Sequence, residues 1–244
     1  MQDDRERDPG AAPTSEAAPA TAHGVARGDR VHTFETDQIR VTWSRTRCTH
    51  VAACVFNLPA VFEPGRRPWV DLSQGTADRV ARTIQRCPTG ALHFERLDGG
   101  EAEPVPPVNT VLISKNGPIH LRGDIEVLDE SGATLLRDTR VALCRCGQSA
   151  HRPLCDYAHH ATGFKDAGAM QPGACVEQGE TAETRLRVRP LPDGPVELDG
   201  PFAISSADGA SMMAGTNVKL CRCGQSASKP YCDESHKRTG FRSA

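Results

Sequence analysis

Apolar and polar positions alternate first in "VHTFETDQIRVTWS", where Val31, Thr33, Ile39, Val41 and Trp43 recur at a two-residue period that predicts strands. The period then changes. In "GTADRVARTIQRC", Val80, Ile84 and Cys87 fall at helical spacing with Thr76 placed as an N-cap, and "CPTGALHFE" leaves that helix through Pro88 into a short strand. These elements define a compact module over 29–97. "DGGEAEPVPPVNT" has the proline and acid content of a linker, assigned to 98–108. Beyond it, "NGPIHLRGDIEVLDESGATLL" and "DGPVELDGPFAISSADGASMM" read as short strands broken by glycine turns, each leading into a cysteine-rich loop. The two β-rich units span 109–166 and 184–244, joined by a second linker over 167–183. Residues 1–28, rich in Ala, Pro, Gly and charge, cannot bury enough apolar area to offset chain entropy and are expected to be a disordered tail.

The two β-rich units are one unit used twice. A shift of 77 carries Cys144 onto Cys221, Gly117 onto Gly194, Leu121 onto Leu198, Gly132 onto Gly209 and Thr162-Gly163-Phe164 onto Thr239-Gly240-Phe241, with no gap. A gapless register of that length marks an internal repeat.

Composition narrows the function classes. Hydrophobic residues make up 38% of the 244 and aromatics 5%, thin material for one continuous core and better suited to small stapled modules. Ten cysteines could be the staples, as disulfides or as metal thiolates. The opening residues lack the apolar run of a secretory signal, so a cytoplasmic setting with reduced thiols is expected. No stretch approaches the roughly 20 apolar residues that span a bilayer. A net charge of -2 offers no basic field for nucleic acid.

In both repeats the chemistry sits in Cys-x-Cys, eight residues, Cys, three residues, His: Cys144, Cys146, Cys155 and His159, then Cys221, Cys223, Cys232 and His236. Zinc is the plain reading of three thiolates and an imidazole. A one-residue gap is awkward around a single tetrahedral ion, and suits instead one iron of a two-iron cluster, the later Cys and His holding the other. Asp156 and Asp233 are read as N-caps of short helices presenting the histidines, and His160, matched by Lys237, as no ligand.

Cys144, Cys146, Ser149, Pro153, Cys155, Asp156, Ala158 and His159 resemble the CDGSH iron-sulfur family, and Cys221, Cys223, Ser226, Pro230, Cys232, Asp233, Ser235 and His236 resemble it again. Tyr157 and Glu234 depart from the glycine of that signature, which bears on the local turn and not on the ligands. The resemblance implies a [2Fe-2S] cluster in each repeat, held by the two ligand sets above. It also implies that such units pair about a two-fold axis with a shared β cap, here within one chain, giving a pseudo-symmetric monomer.

In the first module, Cys48, Cys54 and Cys87 lie on separated loops, with Val51 where a middle cysteine of a ferredoxin run would stand. Three thiolates favour [3Fe-4S]; a [4Fe-4S] cluster would take its fourth ligand from outside, with His50 or a water available. "RCTHVAACVFNLPAVFEPGRRPWV" and "RCPTGALHF" resemble divergent single-cluster ferredoxins, and the resemblance implies an electron-carrier role. Trp43 and Trp69 are read as core, and Cys175, in a linker, receives no role.

The expected whole is an α+β protein: a ferredoxin-like module, then two β-rich CDGSH-type units packed as a pair. No phosphate-binding glycine loop, nucleotide fingerprint or activated nucleophile is present, so no catalytic residue is assigned and the chain is not read as an enzyme. The leading expectation is a carrier of single electrons between its clusters and a redox partner protein, a reductase or an oxygenase. The alternatives are a redox- or pH-responsive sensor or cluster-transfer protein and, more remotely, a zinc-stapled adaptor.

Overall fold

The computed structural model describes residues 29–170, 177 and 184–243. The readings of 1–28 as a tail, of most of 167–183 as a linker and of Cys175 as without a role lie outside the described residues.

In the first module β1 (Val31–Glu35), β2 (Ile39–Ser44) and β3 (Leu92–Arg96) form an antiparallel sheet in the order β1-β2-β3. Alternation along β2 sets its inner face: Ile39 and Val41 are buried, and Val41 stands opposite the buried Phe94 of β3. Helix α2 (Ala77–Ile84) contributes Val80, Ala81 and Ile84 to the same core, and the hydroxyl of Thr76 accepts from the Arg79 N–H at 3.4 Å as the predicted cap. The helix stops at Ile84. Cys87 therefore stands beyond it, on the loop into β3, and not on the helical face its spacing predicted. The short helix α1 (Ala53–Asn57) has no signature in the hydrophobic pattern, because five residues are too few for a period to register.

The repeats build a single sheet from β4 (Thr110–Ile113), β5 (Ile119–Leu128), β6 (Thr134–Leu143), β7 (Leu186–Pro190), β8 (Val196–Ser205) and β9 (Met212–Leu220). Two of its pairings cross between repeats. β4 runs parallel to β8, and β7 runs parallel to β5. The 77-residue shift turns one crossing into the other: the pair Thr110–Ala203 maps onto Arg187–Glu126, and both occur. Each long strand changes partners at a bulge beside Gly123 or Gly200. A Cβ on Gly200, at φ +117, would stand 2.2 Å from the Arg185 carbonyl oxygen, and one on Gly123 2.0 Å from Oδ1 of Asn109, so only glycine fits either bend. One core follows, drawing Val111, Leu121 and Val127 from the first repeat and Val188, Leu198 and Val218 from the second. The α+β expectation holds only coarsely: among the described residues the chain is mostly β, with few and short helices.

The first module is clamped to the first repeat by buried charge. Asp138 of β6 pairs with Arg47 at 2.6 Å and meets His93 Nε2 at 3.0 Å. His93 Nδ1 lies 3.1 Å from Glu103, and Arg140 joins the same carboxylate. Glu103 belongs to the stretch read as a linker, yet its side chain is only 3% exposed. Arg140 also donates to the carbonyls of Ile84, of Cys87 at 3.2 Å and of Leu92 at 2.8 Å, closing the end of α2 and the Cys87 loop. The second repeat has Gly215 and Asn217 at the positions of Asp138 and Arg140, so only the first repeat carries this clamp.

Burial opposes the imidazolium of His93, but Asp138 and Glu103 outweigh it and raise its pKa above the ordinary histidine value. A group whose pKa rises on folding stabilises the fold below its unfolded pKa, about 6.5 for histidine, and that contribution fades as pH climbs through the raised folded value. Thermal melts of the wild type and of His93→Gln should therefore differ most between about pH 5 and 6.5 and converge above that range. A gap that widened with pH would contradict the charged bridge.

Candidate metal centres

The ligand loop of each repeat begins where its last long strand ends. Cys144 follows β6 directly; its N–H donates to the Pro153 carbonyl at 2.8 Å, and the Cys155 N–H donates to Ala142 at 2.8 Å, which folds the loop back onto the strand. Ser149 holds the return through a 2.7 Å bond to the Leu154 carbonyl. His159 then projects from α3 (Ala158–Ala161). The second loop repeats this, with Cys221 bonded to Pro230, Cys232 to Lys219, Ser226 to Tyr231, and His236 on α4 (Ser235–Thr239).

The four donors of each repeat come together as two pairs. Cys144 Sγ lies 3.7 Å from Cys146 Sγ, and Cys155 Sγ lies 3.5 Å from His159 Nδ1; the second repeat gives 3.7 Å and 3.5 Å for Cys221–Cys223 and Cys232–His236. Bonds of about 2.3 Å to sulfur and about 2.0 Å to nitrogen, at a tetrahedral angle, place two thiolates about 3.8 Å apart and a thiolate and an imidazole about 3.5 Å apart. Each pair thus has the bite of one tetrahedral metal ion. A disulfide would need about 2.05 Å. Among the described residues, no three His, Cys, Asp or Glu side chains converge as they would around one ion.

Asp156 and Asp233 work one residue earlier than expected. The residues that open the two helices are Tyr157 and Glu234, at φ 75 and φ 66, and neither caps with its side chain. Asp156 instead accepts from Ala158 at 3.0 Å and from Ala150 at 2.8 Å, tying the histidine helix to the cysteine loop, and Asp233 does the same with Ser235 and Ala227. His160 is exposed and stacks on Tyr157, centroids 4.6 Å apart, with its ring edge-on to that of His159 at 6.4 Å.

Two residues that sequence reasoning passed over support these loops. Arg145 and Arg222, each between the first two cysteines of its set, are almost fully buried. Arg145 donates to Gly117 at 2.9 Å, to Ser114 and to Asp166, beneath the ring of Phe164. Arg222 donates to Gly194 at 2.9 Å and Leu191, and takes its carboxylate, Glu130 at 3.0 Å, from the other repeat. The repeated Cys-Arg-Cys was their signal. The loops also meet back to back: a Cβ on Gly147 would lie 2.6 Å from the Cys223 carbonyl oxygen, and one on Gly224 2.5 Å from that of Cys146.

In the first module Cys48, Cys54 and Cys87 line one small cavity with His50, Val51, Thr49, Trp43 and Trp69. The two tryptophans are thus more than core: Trp43 Nε1, Trp69 Nε1 and Thr49 Oγ1 are buried without a hydrogen-bond partner. Three orphaned donors around three thiols fit a group rich in sulfur acceptors. His50 is exposed at the rim, with its ring 6.3 Å from that of Tyr157. Burial raises the thiol of Cys54 to about 11 and that of Cys48 above its usual value. Burial also pushes Cys155 up to about 12. Cys87 is opposed by burial too, yet the Arg140 guanidinium and Thr89 bring it below the ordinary thiol range. Buried thiols of this kind ionise when a metal supplies the counter-charge.

Residues 34–96 match the family described as a divergent 4Fe-4S mono-cluster, and residues 116–160 and 193–237 each match the iron-binding zinc finger of CDGSH type. No curated protein and no solved structure matches the chain significantly.

Because the three donor sets occupy separate loops, Cys155→Ser should remove the iron of the first repeat alone, and Cys54→Ser that of the first module alone. Iron and sulfide analysis with paramagnetic resonance checks this; simultaneous loss of all iron from either folded variant would refute separate centres.

Proposed function

From a chain that carries a divergent 4Fe-4S mono-cluster domain ahead of two CDGSH-type iron-binding domains, we infer a multi-cluster iron-sulfur protein that carries single electrons between its centres and a redox partner protein. The observation that carries this reading is the division of each Cys3His set into two pairs of single-ion bite. Such a set suits a [2Fe-2S] cluster, with Cys144 and Cys146 on one iron and Cys155 and His159 on the other, and likewise Cys221 with Cys223 and Cys232 with His236. The clusters supply reversible one-electron chemistry, at a potential raised by exchanging a thiolate for a neutral imidazole. The thiolates of Cys48, Cys54 and Cys87 suit [3Fe-4S], or [4Fe-4S] with a fourth ligand such as His50 or water. No residue is given a catalytic role.

The two repeats are read as a pseudo-symmetric pair inside one chain, supported by the matched parallel crossings β4–β8 and β5–β7. A reductase or an oxygenase remains the proposed partner. Val51, 54% exposed, lines the three-cysteine cavity, and Phe56, 81% exposed, follows Cys54 by two residues, so both offer apolar surface that a protein could cover. One observation favours a second reading, a sensor or cluster-transfer protein. His159 and His236 are only partly buried while Cys144, Cys146, Cys221 and Cys223 are buried, so each set opens to solvent on its histidine side.

Anaerobic purification with iron, sulfide and zinc analysis, followed by stepwise reduction and reoxidation under paramagnetic resonance, tests the proposal. The carrier reading expects a signal from an oxidised [3Fe-4S] centre, or one from [4Fe-4S] on reduction, and [2Fe-2S] signals on reduction, all recovered after reoxidation. Zinc in place of iron, or clusters lost in one redox cycle, would overturn it. Delivery of intact cluster to an apo acceptor protein would favour the second reading.

A further inference from the structure

The repeats match in register through their ligand sets, yet they differ where the first repeat faces the first module. Asp138 and Arg140, which clamp that module, become Gly215 and Asn217 in the second repeat. Two further differences, Tyr157 against Glu234 and His120 against Glu197, lie between donor sets.

Tyr157 stands between the rims of two sites. Its ring centroid is 6.3 Å from that of His50, two residues after Cys48, and 5.2 Å from that of His159, edge-on to both. His120 makes a second link. Its imidazole lies beside the backbone of Pro88, the neighbour of Cys87. Nδ1 of His120 is buried without a partner, and the ring lies within electrostatic range of His159. In the second repeat Glu234 is exposed beside Lys237, and Glu197 pairs with Arg189 at 2.6 Å.

We propose that Tyr157 and His120 are positioning residues that connect the Cys48–Cys54–Cys87 site to the Cys144–Cys146–Cys155–His159 site, so that electrons from the first module enter the repeats through the first one. The proposal rests on the carrier reading. An external one-electron reductant is oxidised and reduces the three-cysteine site. One electron then leaves that site, which is oxidised by one, and enters the first Cys3His site, which is reduced by one; no bond forms or breaks. The second Cys3His site is reached across the back-to-back contact of Gly147 and Gly224. The aromatic ring of Tyr157 and the contact of His120 with Pro88 shorten the through-space gap that an electron would otherwise cross, and the clamp of Arg47, Asp138, His93, Glu103 and Arg140 keeps that gap constant.

The test uses the full chain with its clusters in place, reduced by a flash-generated one-electron donor and followed by freeze-quench paramagnetic resonance. Redistribution from the three-cysteine site to the first Cys3His site should slow by an order of magnitude or more in Tyr157→Gly and in His120→Leu. The resting spectrum and midpoint potential of each centre should stay unchanged, which a merely structural role would not preserve. Tyr157→Phe, which keeps the ring, should restore the rate. If Tyr157→Gly fails to assemble, His120→Leu and Tyr157→Phe decide. Wild-type rates in Tyr157→Gly or in His120→Leu, with all centres intact, would sink this route and leave the carrier reading standing. Failure of the wild type to redistribute electrons at all would sink both.

Discussion

Neither repeat completes its sheet alone, and the rest of the structure depends on that. The short strand β4 takes one partner from its own repeat and one from the other, and β7 does the same in reverse. Unpaired, each would leave a row of backbone donors and acceptors exposed at an edge. Pairing across the repeats satisfies them and draws both halves into one core, with Ile113, Leu121 and Ile204 all fully or nearly fully buried. A chain with so few aromatic residues gains from pooling its apolar surface in this way.

The same pairing sets the two Cys3His loops back to back, because each loop hangs from the end of a strand in the shared sheet. Gly147 and Gly224 let the backbones approach more closely than any side chain would allow. Arg145 and Arg222 then fill the space behind the loops, each bonded to the carbonyls of the turn before its own repeat's long strand. Buried guanidinium groups supply positive charge near sites whose donors are thiolates, and they hold the loops in place through several donors at once. The first module joins this frame on one side only, through a buried cluster of two guanidiniums, two carboxylates and an imidazole. Loss of one partner from such a cluster leaves uncompensated charge, at a cost of about 3–5 kcal/mol, so the cluster specifies where the module docks.

Much of the site was legible. The Cys-x-Cys and Cys-x3-His pairs that the structure brings to within 3.7 Å and 3.5 Å were readable because those spacings are short enough to survive as a string. Strands β1 and β2, helix α2 and its Thr76 cap were readable for the same local reason. Asp156 and Asp233 were found but misplaced by one residue, since the turn at Tyr157 and Glu234 takes a left-handed backbone that a cap pattern does not anticipate. The reach of α2 was overstated because Cys87 continues its apolar spacing after the backbone has left the helix.

The sequence by itself determined which residues form the donor sets, that the unit is used twice, and where its strands and turns fall, because period, spacing and turn chemistry all act over a few neighbours. Only the tertiary structure decided that Glu103 of the expected linker is buried, that Trp43, Trp69 and Thr49 bring unpartnered polar atoms to the residues lining the three-cysteine cavity, and that Tyr157 and His120 lie between two sites. Those facts join residues tens of positions apart. Their distances depend on how the sheet closes and how a buried ionic cluster docks one module on another, and no local pattern carries that information.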